Sequence, residues 1–401
     1  MNAHHDTTAP ALSRRSVLGM LGAVPVANGS GIALAGAARA DETAGKSATT
    51  AAGGRIPEEL RPGGKFDQYL ADLAEKDAFA GTVLVRLKGR DVLSRSYGMA
   101  NKEKEIPHGP DTIFTLGSVP KAMTAVAITQ LAAAGKVDFH EKLGAYVDGF
   151  SDEVANTVTV HQMLTHTSGL TDYHRIEGFW KEAPTWDTVE ATWNGCLEYV
   201  QLDELKFPAG YSNSAFFALG AIVAAVCDED SYYDYIRRHV FEVAGMTSSD
   251  WFTLPEARED PRIAHPYFKN EAGEWLDAVL EDDQLFVGTP AGGAFATAGD
   301  LARFAEAVMD DTLLGEAGWT HLATSPKTPM PQPGGTPFEA YGTVWRLMNG
   351  QRTVSKTGGS KGVSASVEWF PDSGWVAVAL ANYARAAETV GERLRELITA
   401  A

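Results

Sequence analysis

Ser118 and Lys121 stand three residues apart in Phe114-Thr-Leu-Gly-Ser-Val-Pro-Lys-Ala-Met-Thr124, a spacing with chemical meaning. At a helix start it puts both side chains on one face. The lysine nitrogen can then reach the serine hydroxyl and ease formation of the alkoxide. Pro120 suits the first helical turn, where an N–H would have had no intrahelical partner. From Ala122 to Ala134 the chain is apolar or small except at Thr124, Thr129 and Gln130. That pattern predicts a helix buried on most sides and ended by Gly135. A nucleophile at its start has a fixed support, with unpaired backbone N–H groups and the positive end of the helix dipole beside it. Alone, a Ser-x-x-Lys is expected by chance in a chain of this length, so partners decide its meaning.

Two short motifs supply candidates. Tyr211-Ser212-Asn213 is the only Tyr-x-Asn in the chain, and Lys356-Thr357-Gly358 the only Lys-Thr-Gly. Each also has an ordinary structural reading. Asn213 would cap an apolar helix from Ser214 to Cys227, Tyr211 would be a core aromatic, and Lys356 would begin a strand end running into a turn.

The elements that must position these residues are legible in outline. A helical stretch spans 66–76, followed by a hairpin of 82–88 and 91–97 around Gly89-Arg90. Val83, Val85 and Leu87 alternate with Thr82, Arg86 and Lys88, the period of a sheet with one buried face. From about 137 to 288 the pattern is mostly helical, without a run of alternating strands. Strands return at 343–348, 352–356, 363–370 and 375–381, joined at Asn349-Gly350 and Pro371-Asp-Ser-Gly374, before a last helix at about 386–400. This distribution predicts an α/β (α+β) fold. One antiparallel sheet is built from both chain ends and carries flanking helices, and a mostly helical lobe is inserted at about 137–288. A ligand cleft belongs between the two.

Composition narrows the function. The 401 residues are 44% hydrophobic, enough for one large or two intertwined domains with a real core. A net charge of -18 argues against nucleic acid, whose phosphates would be repelled. Ser13-Arg14-Arg15-Ser16-Val17-Leu18, an apolar run and Ala38-Arg39-Ala40 predict a twin-arginine-type signal peptide over 1–40 and export to the secreted, periplasmic or cell-wall side. Pro25, Asn28 and several glycines break that run, so no stable membrane anchor is expected. Residues 41–55, rich in Ala, Thr and Gly, read as a flexible spacer, and 56–401 as the catalytic domain. Cys196 and Cys227 are the only cysteines, which excludes a disulfide framework and a metal-type cysteine cluster. A single bridge between them suits an oxidising compartment; burial on apolar helices is the alternative. No metal or cofactor is expected.

In this order, the three motifs resemble those of the serine β-lactamase and penicillin-binding-protein superfamily. The branch is that of class C β-lactamases, DD-carboxypeptidases, D-aminopeptidases and related esterases. Further blocks extend the likeness over nearly all of 56–401. They are Leu164-Thr-His-Thr-Ser-Gly-Leu170, Phe207-Pro-Ala-Gly-Tyr-Ser-Asn213, Val243-Ala-Gly-Met246, Ala291-Gly-Gly293, Ala298-Gly-Asp-Leu-Ala302 and Gly358-Gly-Ser-Lys-Gly362. The resemblance implies an acyl-enzyme formed when Ser118 attacks a carbonyl. Tyr211 carries the proton, from Ser118 directly or through Lys121, to the leaving group. The backbone N–H groups of Ser118 and Gly359 form the oxyanion hole. Asn213 orients the substrate amide or the lysine, and Lys356 with Thr357 meets a substrate carboxylate. A phenol of ordinary pKa, ~10, would need Lys121 and Lys356 beside it to favour its anion. The microscopic base stays open between Lys121 and Tyr211. His166 is a structural shoulder of the site rather than a triad member.

No Glu-x-x-Leu-Asn is present, so the class A deacylation route is absent. Tyr-Ser-Asn is more like the peptidases and esterases than the class C lactamases. Retention of Lys356 favours a carboxylate-bearing small molecule or peptide, hence a DD-carboxypeptidase-like or D-amino-acid peptidase. Carboxylesterase, transacylase and β-lactamase are the alternatives among enzymes. A penicillin-binding sensor without turnover is the alternative outside them.

Overall fold

The computed structural model describes residues 56–330 and 336–400; the expected signal peptide and spacer lie outside them. Val83 and Val85 of β1 (Gly81–Leu87) pack on α1 (Lys65–Glu75), as their alternation predicts, but Leu84 on the opposite face is buried as well. Both faces of the sheet are covered. The reason is that β1 is an interior strand, paired on one side with β2 (Arg90–Tyr97) and on the other with a strand from the far end of the chain.

After β2 come the helices α2 (Pro120–Ala133), α3 (Asn213–Val226) and α4 (Ala298–Met309). The strands β3 (Thr328–Pro329), β4 (Phe338–Glu339), β5 (Val344–Met348), β6 (Gln351–Ser360), β7 (Val363–Phe370) and β8 (Trp375–Ala381) follow, and α5 (Ala386–Thr399) closes the fold. The eight-stranded sheet has the order β2-β1-β8-β7-β6-β5-β4-β3. All its pairings are antiparallel. Gly81 opposite Ala381 and Leu87 opposite Trp375 stitch the two chain ends together, the arrangement expected from the sequence.

Every residue of β7 and β8 is buried, so these strands show no polar alternation to read. On β8, Val376, Val378 and Leu380 join the core that contains α2 and α4, whereas Ala377, Ala379 and Ala381 face α1 and α5. The α5 stripe Ala387, Val390, Leu394 and Ile398 meets that small-residue face. The limits of β7 and β8 match expectation, but β6 continues four residues past Lys356 to Ser360. The 137–288 stretch contains one strand pair the sequence did not suggest, Tyr267–Lys269 with Trp275–Asp277. Strands of three residues are too short to carry a period. Cys196 and Cys227 are both free.

The most buried of the ion pairs between sheet and helix joins β7 to α5. Glu368 of β7, 1% exposed, accepts from Arg395 Nε of α5 at 2.7 and 2.9 Å. Arg395→Ala would leave that carboxylate buried without its cation. Guanidinium denaturation should show a loss of about 3–5 kcal/mol.

Candidate active site

Two segments more than two hundred residues apart touch through their backbones. A Cβ on Gly358 would lie 1.9 Å from the Leu116 carbonyl oxygen and 2.6 Å from the Ser118 nitrogen. One on Gly117, whose φ is +50°, would lie 2.5 Å from the Gly359 nitrogen. Only glycine allows β6 to run so close to the turn before α2. The turn is held from its other side by Leu116 N–H to Ala294 O (2.8 Å) and Gly293 N–H to Gly117 O (2.9 Å). Among the described residues the Ser118 N–H finds no backbone acceptor. It therefore stays available beside the β6 backbone at Gly358 and Gly359.

From this turn α2 proceeds with Pro120 in its first turn, and Lys121 is fully buried. Lys121 Nζ lies 3.3 Å from Ser118 Oγ, donates to Asn213 Oδ1 at 2.7 Å, and donates to the Ala291 carbonyl oxygen. The structural reading of Asn213 as a helix cap fails. Ser212 is the cap of α3, its Oγ accepting from Ala215 N–H at 2.9 Å. Asn213 is the first helical residue, and its side chain is left for Lys121.

Tyr211 is no core residue, being 52% exposed. Lys121 and Lys356 place their Nζ atoms 4.9 and 5.3 Å from its ring centroid. The anticipated phenolate does not follow from that geometry. Burial of the phenol end pushes Tyr211 up; the Ser118 hydroxyl opposes, and the charges of Glu339 and Asp172 add to the rise. Both lysines are themselves desolvated. Burial, and then the Lys356 charge, drives Lys121 well below its ordinary value against the pull of Asp172. Burial takes Lys356 down to about 8, with Glu339 opposing. Burial thus favours the neutral amine at Lys121 and the neutral phenol at Tyr211. His166, at φ +56°, accepts from Ser212 N–H through Nδ1 at 3.1 Å and packs on Tyr211 at 4.5 Å. Burial, then Lys356 and Lys121, keeps its ring neutral.

Ser118 lies where two cavities meet. One, of about 450 Å³, is walled by Trp180, Phe252, Leu254, Leu285 and Phe286, with His174 and Asn213 at its lining. The other, of about 530 Å³, is polar and contains Tyr211, Glu339, Arg346, Lys356 and Thr357. Gly359 borders both. Glu339, Arg346, Asp172 and His174 belong to no motif, and no spacing in the sequence pointed to them. Arg346 is held by Ser355 Oγ at 2.8 Å, and burial raises Glu339 against the charges of Lys356 and Arg346.

A family model described as Beta-lactamase matches residues 66–400. The chain belongs to the beta-lactamase family. Its relatives include PbpX of Bacillus subtilis, 28% identical over 263 residues, which are 65% of this chain and 61% of that protein. The chain thus spans less than two thirds of that relative. Among solved structures, a penicillin binding protein from Bacillus halodurans superposes with a TM-score of 0.72 at 28% identity, covering 82% of this chain and 99% of that one. A D-amino acid amidase from Ochrobactrum anthropi shares the fold with a TM-score of 0.67 at 19% identity, over 84% and 99% of the two chains. This beta-lactamase-family chain accordingly belongs to the superfamily of β-lactamases and penicillin-binding proteins.

The closeness of β6 to Ser118 has a measurable consequence. Gly358→Ala must separate the strand from the turn, and a displacement of that order costs about a hundredfold in rate. Labelling by a fluorophosphonate, followed by intact mass, should slow accordingly while the far-ultraviolet spectrum is retained.

Proposed function

We propose that this protein is an exported hydrolase in which Ser118 forms an acyl-enzyme with a carboxylate-bearing amide or ester, acting as a DD-carboxypeptidase-like or D-amino-acid peptidase. Lys121 is the base. A neutral amine has two N–H bonds and one lone pair. Asn213 Oδ1 and the Ala291 carbonyl oxygen accept the two N–H bonds, and the remaining tetrahedral direction, the lone pair, faces Ser118 Oγ. The Ser118 proton passes to Lys121 as Oγ attacks the carbonyl. The neutral phenol of Tyr211, beside Ser118 and Lys121, hands a proton to the departing nitrogen or oxygen and is reprotonated from Lys121. The Ser118 and Gly359 N–H groups receive the oxyanion. Water then attacks the acyl-enzyme by the reverse route.

One observation carries the substrate class. Lys356 and Arg346 share the polar cavity beside Ser118 with Glu339 as their buried counter-charge. The charged lining is balanced overall, Arg346, Lys356 and Arg385 against Glu339, Glu388 and Glu392, so the carboxylate reading rests on Lys356 and the adjacent Thr357 hydroxyl, a cation and a donor next to each other on β6. The O. anthropi neighbour, a D-amino acid amidase solved with D-phenylalanine and also with L-phenylalanine, supports an amino-acid-derived substrate through its activity rather than through its bound ligand. The apolar cavity favours a second reading, a carboxylesterase or transacylase, because a neutral acyl chain would fill it. Export is supported by the twin-arginine pattern and by the penicillin-binding proteins among the relatives. No helix of the described residues is long and apolar enough to cross a membrane.

Ser118→Ala should abolish both turnover and covalent labelling with the fold retained, since a half-buried hydroxyl contributes little packing. Labelling that persists in this variant would place the nucleophile elsewhere. A wild-type protein that stays acylated after one equivalent would be a sensor.

The substrate class is tested through Lys356. For a carboxylate-bearing peptide, kcat/KM should fall as pH rises through about 8, where free Lys356 loses its charge. A neutral ester should show no fall there. Lys356→Ala should cost the peptide ~1.5–3 kcal/mol, roughly tenfold to over a hundredfold, and the ester far less. Equal losses for both substrates would move the esterase or transacylase reading ahead.

A further inference from the structure

In one part of this fold an ammonium group is held by aromatic rings. Lys102 Nζ lies 4.1, 4.9 and 5.2 Å from the ring centroids of Trp275, Tyr383 and Tyr267. Asp77 opposes its charge and is itself fixed by Trp275 Nε1–H at 3.1 Å and the Tyr383 hydroxyl at 2.7 Å. Ring faces backed by a carboxylate are one way a folded chain holds a cation.

A second cluster of rings has no such cation from the chain. Trp193, Tyr232, Tyr233 and Trp251 are contiguous, with neighbouring centroids 5.4 to 6.1 Å apart. They line a cavity of about 490 Å³, a size that suits a small ligand. Among the described residues no lysine or arginine lies over any of the four rings. The walls are tied from behind. The Tyr232 hydroxyl meets Thr124 Oγ1 of α2 at 2.8 Å, and Tyr233 donates to the Gly288 carbonyl oxygen at 2.9 Å. Val189, Glu190 and Trp193 share one face of the helix Val189–Gln201. The tyrosine rings therefore need no ordering on binding.

The charges of the lining are three carboxylates, Glu190, Asp230 and Asp234, against one guanidinium, Arg237. Arg237 is already shared between Asp234 at 3.0 Å and Asp250 at 2.9 Å. Glu190 and Asp230 have no cationic partner among the described residues. Both are exposed, so they belong to the open side of the cavity.

We propose that this cavity is a second ligand site and takes an organic ammonium ion with alkyl groups on its nitrogen. The four rings receive the alkylated nitrogen, and Glu190 and Asp230 supply the opposite charge. Alkylation matters because ring faces do not replace the hydrogen bonds that a bare ammonium would lose on leaving water. The same two carboxylates turn anions away. The site is separate from that of Ser118: Val287 is the one lining residue it shares with the apolar cavity there, and it shares none with the polar one. No residue given a role in acyl transfer borders it.

Choline and its uncharged carbon isostere dimethylbutanol differ in the charge of the quaternary centre, which makes them the probes. Titrated into the full chain and followed by calorimetry, choline should bind saturably in the millimolar range or tighter, and dimethylbutanol at least about tenfold more weakly. The double variant Glu190→Gln, Asp230→Asn should weaken choline about fivefold or more and leave dimethylbutanol unchanged. Trp193→Leu keeps apolar bulk but removes a ring, and should weaken choline roughly fivefold. Because both carboxylates are exposed, the double variant keeps the test open should Trp193→Leu not fold; far-ultraviolet spectra check each. Trp180→Ala, which alters the apolar cavity beside Ser118, should bind choline as the wild type does. Equal binding of the two probes, an unchanged affinity in either folded variant of the second cavity, or no saturable binding would each overturn the inference. A loss of binding in Trp180→Ala would overturn it as well, because choline would then sit in the Ser118 cleft.

Discussion

A lysine amine with no access to water is the constraint on which this site depends. An isolated ammonium at that depth is costly, so burial pulls the group toward its free-base form. Burial alone would leave its lone pair undirected. Direction comes from three different parts of the chain that converge on Nζ: Ser118 from the turn before α2, Asn213 from the start of α3, and the Ala291 carbonyl from the segment before α4. The fold must therefore hold all three in register.

The sheet supplies that rigidity. Because β6 is paired on both edges, with β5 and β7, and seats Val354 in the core that contains α2 and α4, it cannot slide without breaking its register. The glycines at 117 and 358 convert this stiffness into a backbone contact at Ser118. The backbones at Ser118 and Gly359 are thus brought side by side without side chains to hold them there. The two cavities then part at that point, one apolar and one charged, so a substrate with unlike ends has a single orientation in which its carbonyl reaches Ser118.

Tyr211 shows why a list of neighbours does not settle a protonation state. Two cations lie within about 5 Å of its ring, as the motif suggested, yet the phenol is pushed up rather than down. The lysines are desolvated too, and one of them carries Glu339 as a counter-charge. Counting charges in a sequence assumes that all of them are present, while a shared low-dielectric site makes them compete.

The sequence by itself determined the parts whose signal is local. Ser118 and Lys121 lie three apart where a turn enters α2, so their meeting needed no tertiary information. Val363–Phe370 and Trp375–Ala381 were bounded correctly by turn chemistry, and the pairing of both chain ends followed from where the strands fell. Only the tertiary structure decided the rest. Asp172 and His174 share no spacing with Ser118, because only the fold brings the 172–175 turn to the cavity that Ser118 and His174 both line. The Ala291 contact uses a backbone oxygen, which leaves no mark on residue type. Glu339 lies on the two-residue β4 and Arg346 on β5, and that both reach the cavity of Lys356 is decided by the pairing of the sheet, which no local pattern announces. The second buried face of β1 was hidden for the same reason: alternation reports one strand's own pattern, whereas burial depends on which helices the whole chain brings to lie against it.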